Sequence, residues 1–292
     1  RSTSSVLRLS ELGELGLLAE LERRGLAGGM DAEGLVLDDG RVLTQDTLVE
    51  GVHFRRAWTS WRDLGYKAAA VNLSDLAAMG AEPDALLVAL ALPSKAETED
   101  VLELYEGLNE PGVRVLGGDT SRAESLSLTV TAVGRSERVP GRAGAKPGDR
   151  LVVTGPLGAA AAGLYALEHD LEDFGDLVAL HRRPPLRIAE GLRLAEVARA
   201  MIDLSDGIGR DAERIAERSG CKLVLDVEKL PRAPRIEEVA DLPFWTMGED
   251  YELLAALGPE DAEASGFPII GRVEEGSGVE PPDLPGWDSF RG

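Results

Sequence analysis

Apolar residues recur at helical spacing over residues 12–24, which predicts an amphipathic helix. Short apolar runs at 35–37 and 42–44 flank Asp38-Asp39-Gly40, a turn signal that predicts a hairpin. A helix is expected from Ser60, with Asp63 placed as in a capping box, to about Met79. Residues 84–92, bounded by Pro83 and Pro93, predict a strand, 97–108 a helix, 113–116 a short buried strand, and 125–133 a strand with alternating pattern. Residues 135–149 are polar and rich in Gly and Pro, as a connection between domains should be, so the domains are set at 1–138 and 139–292. Beyond the connection, strands are predicted at 151–154, 201–202, 222–227, 251–257 and 268–273, and helices at 157–168, 186–199 and 207–218. The pattern is that of a mixed α/β fold in two domains.

Composition narrows the function. The chain has 292 residues, 43% of them hydrophobic, and a net charge of −21. A field of that sign repels nucleic acid and anionic membranes, and neither is an expected partner. It also repels a nucleoside triphosphate, so a site for a phosphorylated ligand must reverse the local field with bound cations or placed arginines. Cys221 is the only cysteine, which excludes an internal disulfide and fits a reducing cytoplasm. No apolar stretch reaches the roughly 18 residues of a membrane span, and the segment from Arg1 lacks the apolar centre of a signal peptide.

Several chemistries are excluded by what is missing. No P-loop sequence occurs, and Thr154-Gly155-Pro156-Leu157-Gly158, without a lysine, reads first as a strand-to-helix turn. His53, His169 and His181 are not paired at a transition-metal spacing. What stands out is a set of short acidic motifs: Gly29-Met30-Asp31, Gln45-Asp46-Thr47, Asn72-Leu73-Ser74-Asp75, Gly117-Gly118-Asp119-Thr120, Asp203-Leu204-Ser205-Asp206-Gly207 and Gly248-Glu249-Asp250. Magnesium takes hard oxygen ligands, one or two carboxylates per ion with phosphate and water filling the rest, so scattered aspartates around a triphosphate suit it. Any one of these motifs taken alone is more often a turn or a helix cap. Asp75 differs, because it lies inside a helix of small apolar residues with Asn72 on the same face, where an unpaired carboxylate is costly.

Taken together and in order, QDTLVEGVHF (45–54), YKAAAVNLSDLAAMGAEP (66–83), GGDTSR (117–122), RAGAKPGDRLVVTGPLG (142–158), IDLSDG (202–207), GEDYEL (248–253) and GWDSF (286–290) resemble the thiamine-monophosphate kinases, within the wider family that includes aminoimidazole ribonucleotide synthetase. The resemblance implies a two-domain fold whose N-terminal sheet pairs with that of a second subunit in a homodimer, with a larger C-terminal α/β domain. It implies ATP-dependent phosphorylation of thiamine monophosphate to thiamine diphosphate in the cytoplasm, with Mg²⁺ and no protein nucleophile. Carried over by position, Mg²⁺ would be held by Asp31, Thr44, Asp46, Asp75, Asp119, Asp203 and Asp206, with Asp31, Asp75 and Asp206 most critical. Gln45 replaces a family threonine and can still offer an oxygen. ATP would meet Tyr105, Gly118, Asp119, Arg142 and Ser205, and the thiamine substrate His53, Glu249 and Trp287. Met30 and Ser289 also depart from the family pattern. Relatives that depend on an N-terminal or C-terminal cysteine do not match, since Cys221 is at neither end. A noncatalytic nucleotide-binding protein is the alternative of another class.

Overall fold

The structure, a computed structural model, describes residues 8–27, 32–282, 284, 286 and 287. Helix α1 (Leu9–Arg23) begins earlier than the apolar spacing indicates, and Gly13 breaks its regular geometry with a φ of 73°. The first sheet contains β1 (Leu35–Val36), β2 (Arg41–Val49), β3 (Glu82–Leu92), β4 (Val115–Arg122) and β5 (Ser127–Arg135) in the order β1-β2-β5-β3-β4. Its pairs are antiparallel except β3 with β4, which are parallel and joined through helix α3 (Thr98–Asn109).

Helix α2 (Trp61–Ala78) starts where the cap predicts: Asp63 N–H donates to Ser60 Oγ at 3.0 Å. It covers one face of the sheet, where Leu64, Leu73 and Leu76 join Leu86 and Val88 of β3 and Leu128 and Val130 of β5 in one core. The helices α2 and α3 cross at Gly65 and Gly107. A Cβ at Gly65 would strike the Leu104 carbonyl, and one at Gly107 the Arg62 carbonyl, so the crossing depends on both glycines. The other face of the sheet is uncovered in one chain, and Leu87 on it is 42% exposed.

The second sheet contains β6 (Arg150–Val153), β7 (Ala200–Asp203), β8 (Lys222–Leu225), β9 (Leu253–Leu257), β10 (Ile269–Glu274) and β11 (Gly278–Glu280), in the order β11-β8-β10-β6-β9-β7. Around it lie α4 (Ala159–Glu168), α5 (Gly175–Arg182), α6 (Ile188–Ala195), α7 (Ile208–Ser219), α8 (Ile236–Val239) and α9 (Pro259–Ser265). The C-terminal end of α2 belongs to this half as well: Ala77 and Ala78 pack with Leu194, Met201, Leu253 and Ala255, and Gly191 abuts the Ala77 backbone. Residues on α2 are thereby held between the two sheets.

Two strands differ from expectation in ways that bear on function. Strand β2 continues past Thr44 to Val49, so Asp46 lies inside a strand. Strand β4 is an exposed edge running to Arg122, not a short buried strand, because GGDT is extended and pairs with β3. The helix expected over 186–199 ends at Ala195, where Arg138 donates to the carbonyls of Ala195 and Ala198. No helix among the described residues is long and apolar enough to cross a membrane.

Candidate active site

The site is built on α2, β2 and β7. On α2, Asn72 and Ser74 are buried polar residues in a run of alanines and leucines, each with a defined partner. Asn72 Oδ1 accepts the Asp46 N–H at 3.1 Å while its amide donates to Ala68 O at 3.0 Å, so it fixes the β2 backbone beside the aspartate. Ser74 Oγ donates to Asp203 Oδ2 at 2.7 Å, joining α2 to the end of β7. Thr44 Oγ1 donates a short hydrogen bond to Asp75 and lies 3.2 Å from Glu33 O.

These contacts bring carboxylate oxygens of Glu33, Asp75 and Asp203 within 4.8 Å of one another. Burial raises the Asp75 carboxyl well above the ordinary carboxylate range, and the charges of Asp46, Asp203 and Glu33 raise it further. Asp203 is raised by burial and by Glu33, against the opposing hydrogen bond from Ser74. Like charges this close favour a divalent cation, and an all-oxygen donor set suits a hard ion such as Mg²⁺. Glu33 is a member of the cluster that the motifs did not single out. Arg142 donates to Glu33 through Nε at 3.0 Å and also through Nη2, which sets a guanidinium at the edge of the cluster.

A second group of residues is gathered by loops of the C-terminal half. Glu249 N–H donates to Ser205 O at 2.8 Å, Tyr251 N–H to Leu204 O at 3.0 Å, and Trp287 N–H to Asp206 O at 3.0 Å. The 203–207 loop therefore lies beside both the 248–252 loop and Trp287. Glu249 and Tyr251 have φ values of 60° and 51°, left-handed conformations that cost a non-glycine residue on the order of 1 kcal/mol each. Glu252 holds that loop in place: Arg187 grips it at 2.6 Å through both Nε and Nη2, and Thr154 Oγ1 donates to it at 2.6 Å. The Glu249 carboxylate lies 2.8 Å from Lys67 Nζ and 3.3 Å from His181 Nδ1.

Asp206 pairs with Arg214, and behind both lies Asp211, which is fully buried and accepts the N–H groups of Asp206 at 3.1 Å and Gly207 at 3.0 Å. Burial pushes the Asp211 carboxyl up to about 8, opposed by the Arg214 charge. Nothing in the motif pattern marked Asp211, since an aspartate in the first turn of a helix is ordinary. His53 Nδ1 accepts the Val49 N–H at 3.1 Å, which leaves Nε2 carrying the proton.

Some expected residues stand elsewhere. Gln45 faces the opposite side of β2 from Thr44, where Thr131 Oγ1 donates to it at 2.9 Å, and it is not brought to the acidic cluster. Asp119 is on β4, in register with Ala89, and β4 is separated from β2 by two strands, a gap of roughly 14 Å at the usual strand spacing. Gly118 adopts a φ of 148°, and a Cβ there would run into the Val88 backbone. Tyr105 is half-buried on α3 against the first core. Asp31 and Met30 lie outside the described residues, as does Ser289.

Two family models match in order: AIR synthase related protein, N-terminal domain, over residues 29–136, and AIR synthase related protein, C-terminal domain, over 146–281. Thiamine-monophosphate kinase of Aquifex aeolicus is 36% identical over 94% of this chain and 95% of its own length. The chain belongs to the thiamine-monophosphate kinase family. The family enzyme of Escherichia coli is 38% identical over 82% of this chain and 81% of its own length. Among solved structures, AaThiL complexed with AMPPCP and TMP aligns with a TM-score of 0.91 at 34% identity, covering 98% of this chain and 99% of that one. Hydrogenase maturation protein HypE in complex with ATP, at 18% identity and a TM-score of 0.70, shares the fold.

Proposed function

We propose that this chain transfers the γ-phosphoryl group of ATP to the phosphate of thiamine monophosphate, giving thiamine diphosphate and ADP. The observation that carries the reading is the convergence of Glu33, Asp75 and Asp203 on one spot beside the linked 203–207 and 248–252 loops, in a chain that matches thiamine-monophosphate kinases along nearly its whole length. Asp46, Asp75 and Asp203 would hold Mg²⁺, with Thr44 and Glu33 adjacent and Asp206 on the far loop. Bound there, Mg²⁺ supplies the positive charge that lets two anionic phosphates approach.

The protein's own work is positioning. Arg142, at the edge of the cluster, offers a planar cation to the nucleotide phosphates. Glu249 accepts N–H groups of the substrate's heterocycle, His53 donates from Nε2, and Trp287, 41% exposed and tied to Asp206, gives a face for ring stacking. The acceptor is already a phosphate oxygen, so no side chain has to act as nucleophile or general base. The discriminating test uses acceptor chemistry: with ATP and Mg²⁺, thiamine monophosphate yields thiamine diphosphate by chromatography and free thiamine yields no product. Equal phosphorylation of free thiamine, or none of either, overturns the reading.

The uncovered face of the first sheet and the exposed β4 edge support a homodimer paired through these sheets, since an open edge strand is a template for pairing. In such a dimer, the β4 strand of one copy, with Gly118 and Asp119, would complete the acidic cluster of the other. This accounts for the distance between Asp119 and the cluster within a single chain.

A further inference from the structure

We infer that Lys67 and His181 are positioning residues that pin the Glu249 carboxylate, Lys67 supplying its counter-charge, so that its remaining lone pairs face the thiamine heterocycle. The inference deepens the proposed function and rests on its assignment of Glu249 to the substrate.

Lys67 is 3% exposed and sits in the run of small residues of α2, a place where an unpaired ammonium is strongly disfavoured. His181, in the last turn of α5, is 8% exposed. Their nearest charged partner is the same carboxylate: Lys67 Nζ lies 2.8 Å from Oε1 and His181 Nδ1 lies 3.3 Å from Oε2. Neither nitrogen has an aligned hydrogen-bond partner among the described residues, and both belong to side chains that line one cavity with Phe54, Trp58 and Arg182. Arg182 Nε, the third such atom among the described residues, belongs to that lining too.

The Glu249 side chain remains 30% exposed, and a carboxylate accepts about four hydrogen bonds, so an open edge is left for a ligand. Holding a non-glycine residue at a φ of 60° for this purpose is what a constrained recognition residue requires.

Charge follows the geometry. Burial alone raises a carboxyl, but Lys67 and His181 draw Glu249 far below the usual carboxylate range. His181 is lowered by burial and by Lys67, which leaves it neutral near pH 7 and Lys67 as the counter-charge. The other groups facing this region are Arg55 from the cavity lining, Arg182 on α5, and Asp250, Tyr251 and Glu252 on the Glu249 segment; Tyr251 also feels Asp46, Asp203 and Asp75.

The test is Lys67→Met in a His181→Gln background, where no imidazole can take the proton in place of the ammonium, assayed beside His181→Gln alone for KM and kcat from pH 6.5 to 9. Without the ammonium, Glu249 takes up a proton as pH falls, so KM for thiamine monophosphate should rise about tenfold or more at pH 6.5, the worth of one charged hydrogen bond. It should return to within about twofold of His181→Gln alone at pH 9, with kcat little changed throughout. In the Glu249→Gln background, Lys67→Met should add no pH dependence. A KM unchanged at pH 6.5, a loss equal at both ends of the range, or a pH-dependent loss that persists with Glu249→Gln overturns the inference.

If Lys67→Met does not fold, the wild-type protein is read instead. The Glu249 carboxyl, assigned by carbon NMR against Glu249→Gln, should stay ionised to pH 4, and titration at or above the ordinary range overturns the inference. That titration uses no substrate. A failure of the kinase reading, with no thiamine diphosphate from wild type, is therefore distinguishable from a failure of this one.

Discussion

At the residue scale, Asp75 is the residue on which the proposed chemistry turns. It shares a hydrogen bond with Thr44 and lies beside Asp203 and Glu33, so its replacement by an isosteric amide removes charge without removing volume. Asp75→Asn should lower kcat by about 100-fold or more while the circular-dichroism melting curve stays close to wild type. Near wild-type turnover would contradict the assignment. A second outcome follows from the raised carboxyls of Asp75 and Asp203. Without a cation these groups keep protons above their usual range, and an ion that binds must displace them. Binding of Mg²⁺ should release protons, seen by calorimetry in buffers of different ionisation enthalpy, and apparent affinity should rise with pH until both carboxyls are ionised. Uptake of protons, or no exchange, would contradict this.

At the element scale, the central helix α2 does most of the placing. One turn presents Lys67 to Glu249, later turns present Asn72, Ser74 and Asp75 to β2 and β7, and the last alanines pack against α6 and β9. Gly65→Ala should therefore do damage out of proportion to one methyl group, because the added Cβ meets the Leu104 backbone and not a side chain that can move. We expect a loss of about 1–3 kcal/mol in urea unfolding. A loss within 0.5 kcal/mol would show, on the usual scale for innocuous substitutions, that the α2–α3 crossing relaxes.

Helix α2 was legible almost to the residue, since Ser60 and Asp63 announce its start and an unbroken run of small apolar residues its length. Strand β4 was not, because two glycines before an aspartate read as a turn, while Gly118 in fact serves close approach to the β3 backbone. The aspartates on α2, β2 and β7 were legible from motifs. Glu33, Lys67, His181 and Asp211 were not, since their meaning comes from partners 42 to 182 positions away for the first three and from burial for the last. Gln45 shows the opposite limit: strand alternation puts neighbouring residues on opposite faces, so a motif that spans three strand positions cannot aim all of them at one site.

At the scale of the whole molecule, the net charge of −21 explains why a site for two phosphorylated ligands must be an island of reversed field, with Arg142 beside the acidic cluster proposed to hold Mg²⁺. The uncovered sheet face extends the same logic to assembly. If Asp119 completes the cluster of a second copy, then mixing inactive Asp75→Asn and Asp119→Asn proteins under exchange should regain activity. Half the molecules would be mixed dimers with one intact site of two, so the ceiling is about one quarter of wild type. Recovery near that level supports sharing between subunits. No recovery, with exchange verified by light scattering and tagged copies, places Asp119 with its own chain's cluster or outside the site.

The central claim is direct phosphoryl transfer assisted by Mg²⁺ held between the two halves of the chain, and phosphorus NMR of one reaction mixture tests it most directly. With ATP, thiamine monophosphate and Mg²⁺, the γ-phosphate signal should decline in step with growth of the terminal phosphate of thiamine diphosphate, one for one, and chelation of the metal should halt both. Loss of the γ-phosphate as inorganic phosphate, or unchanged spectra from a protein that binds ATP, would contradict it.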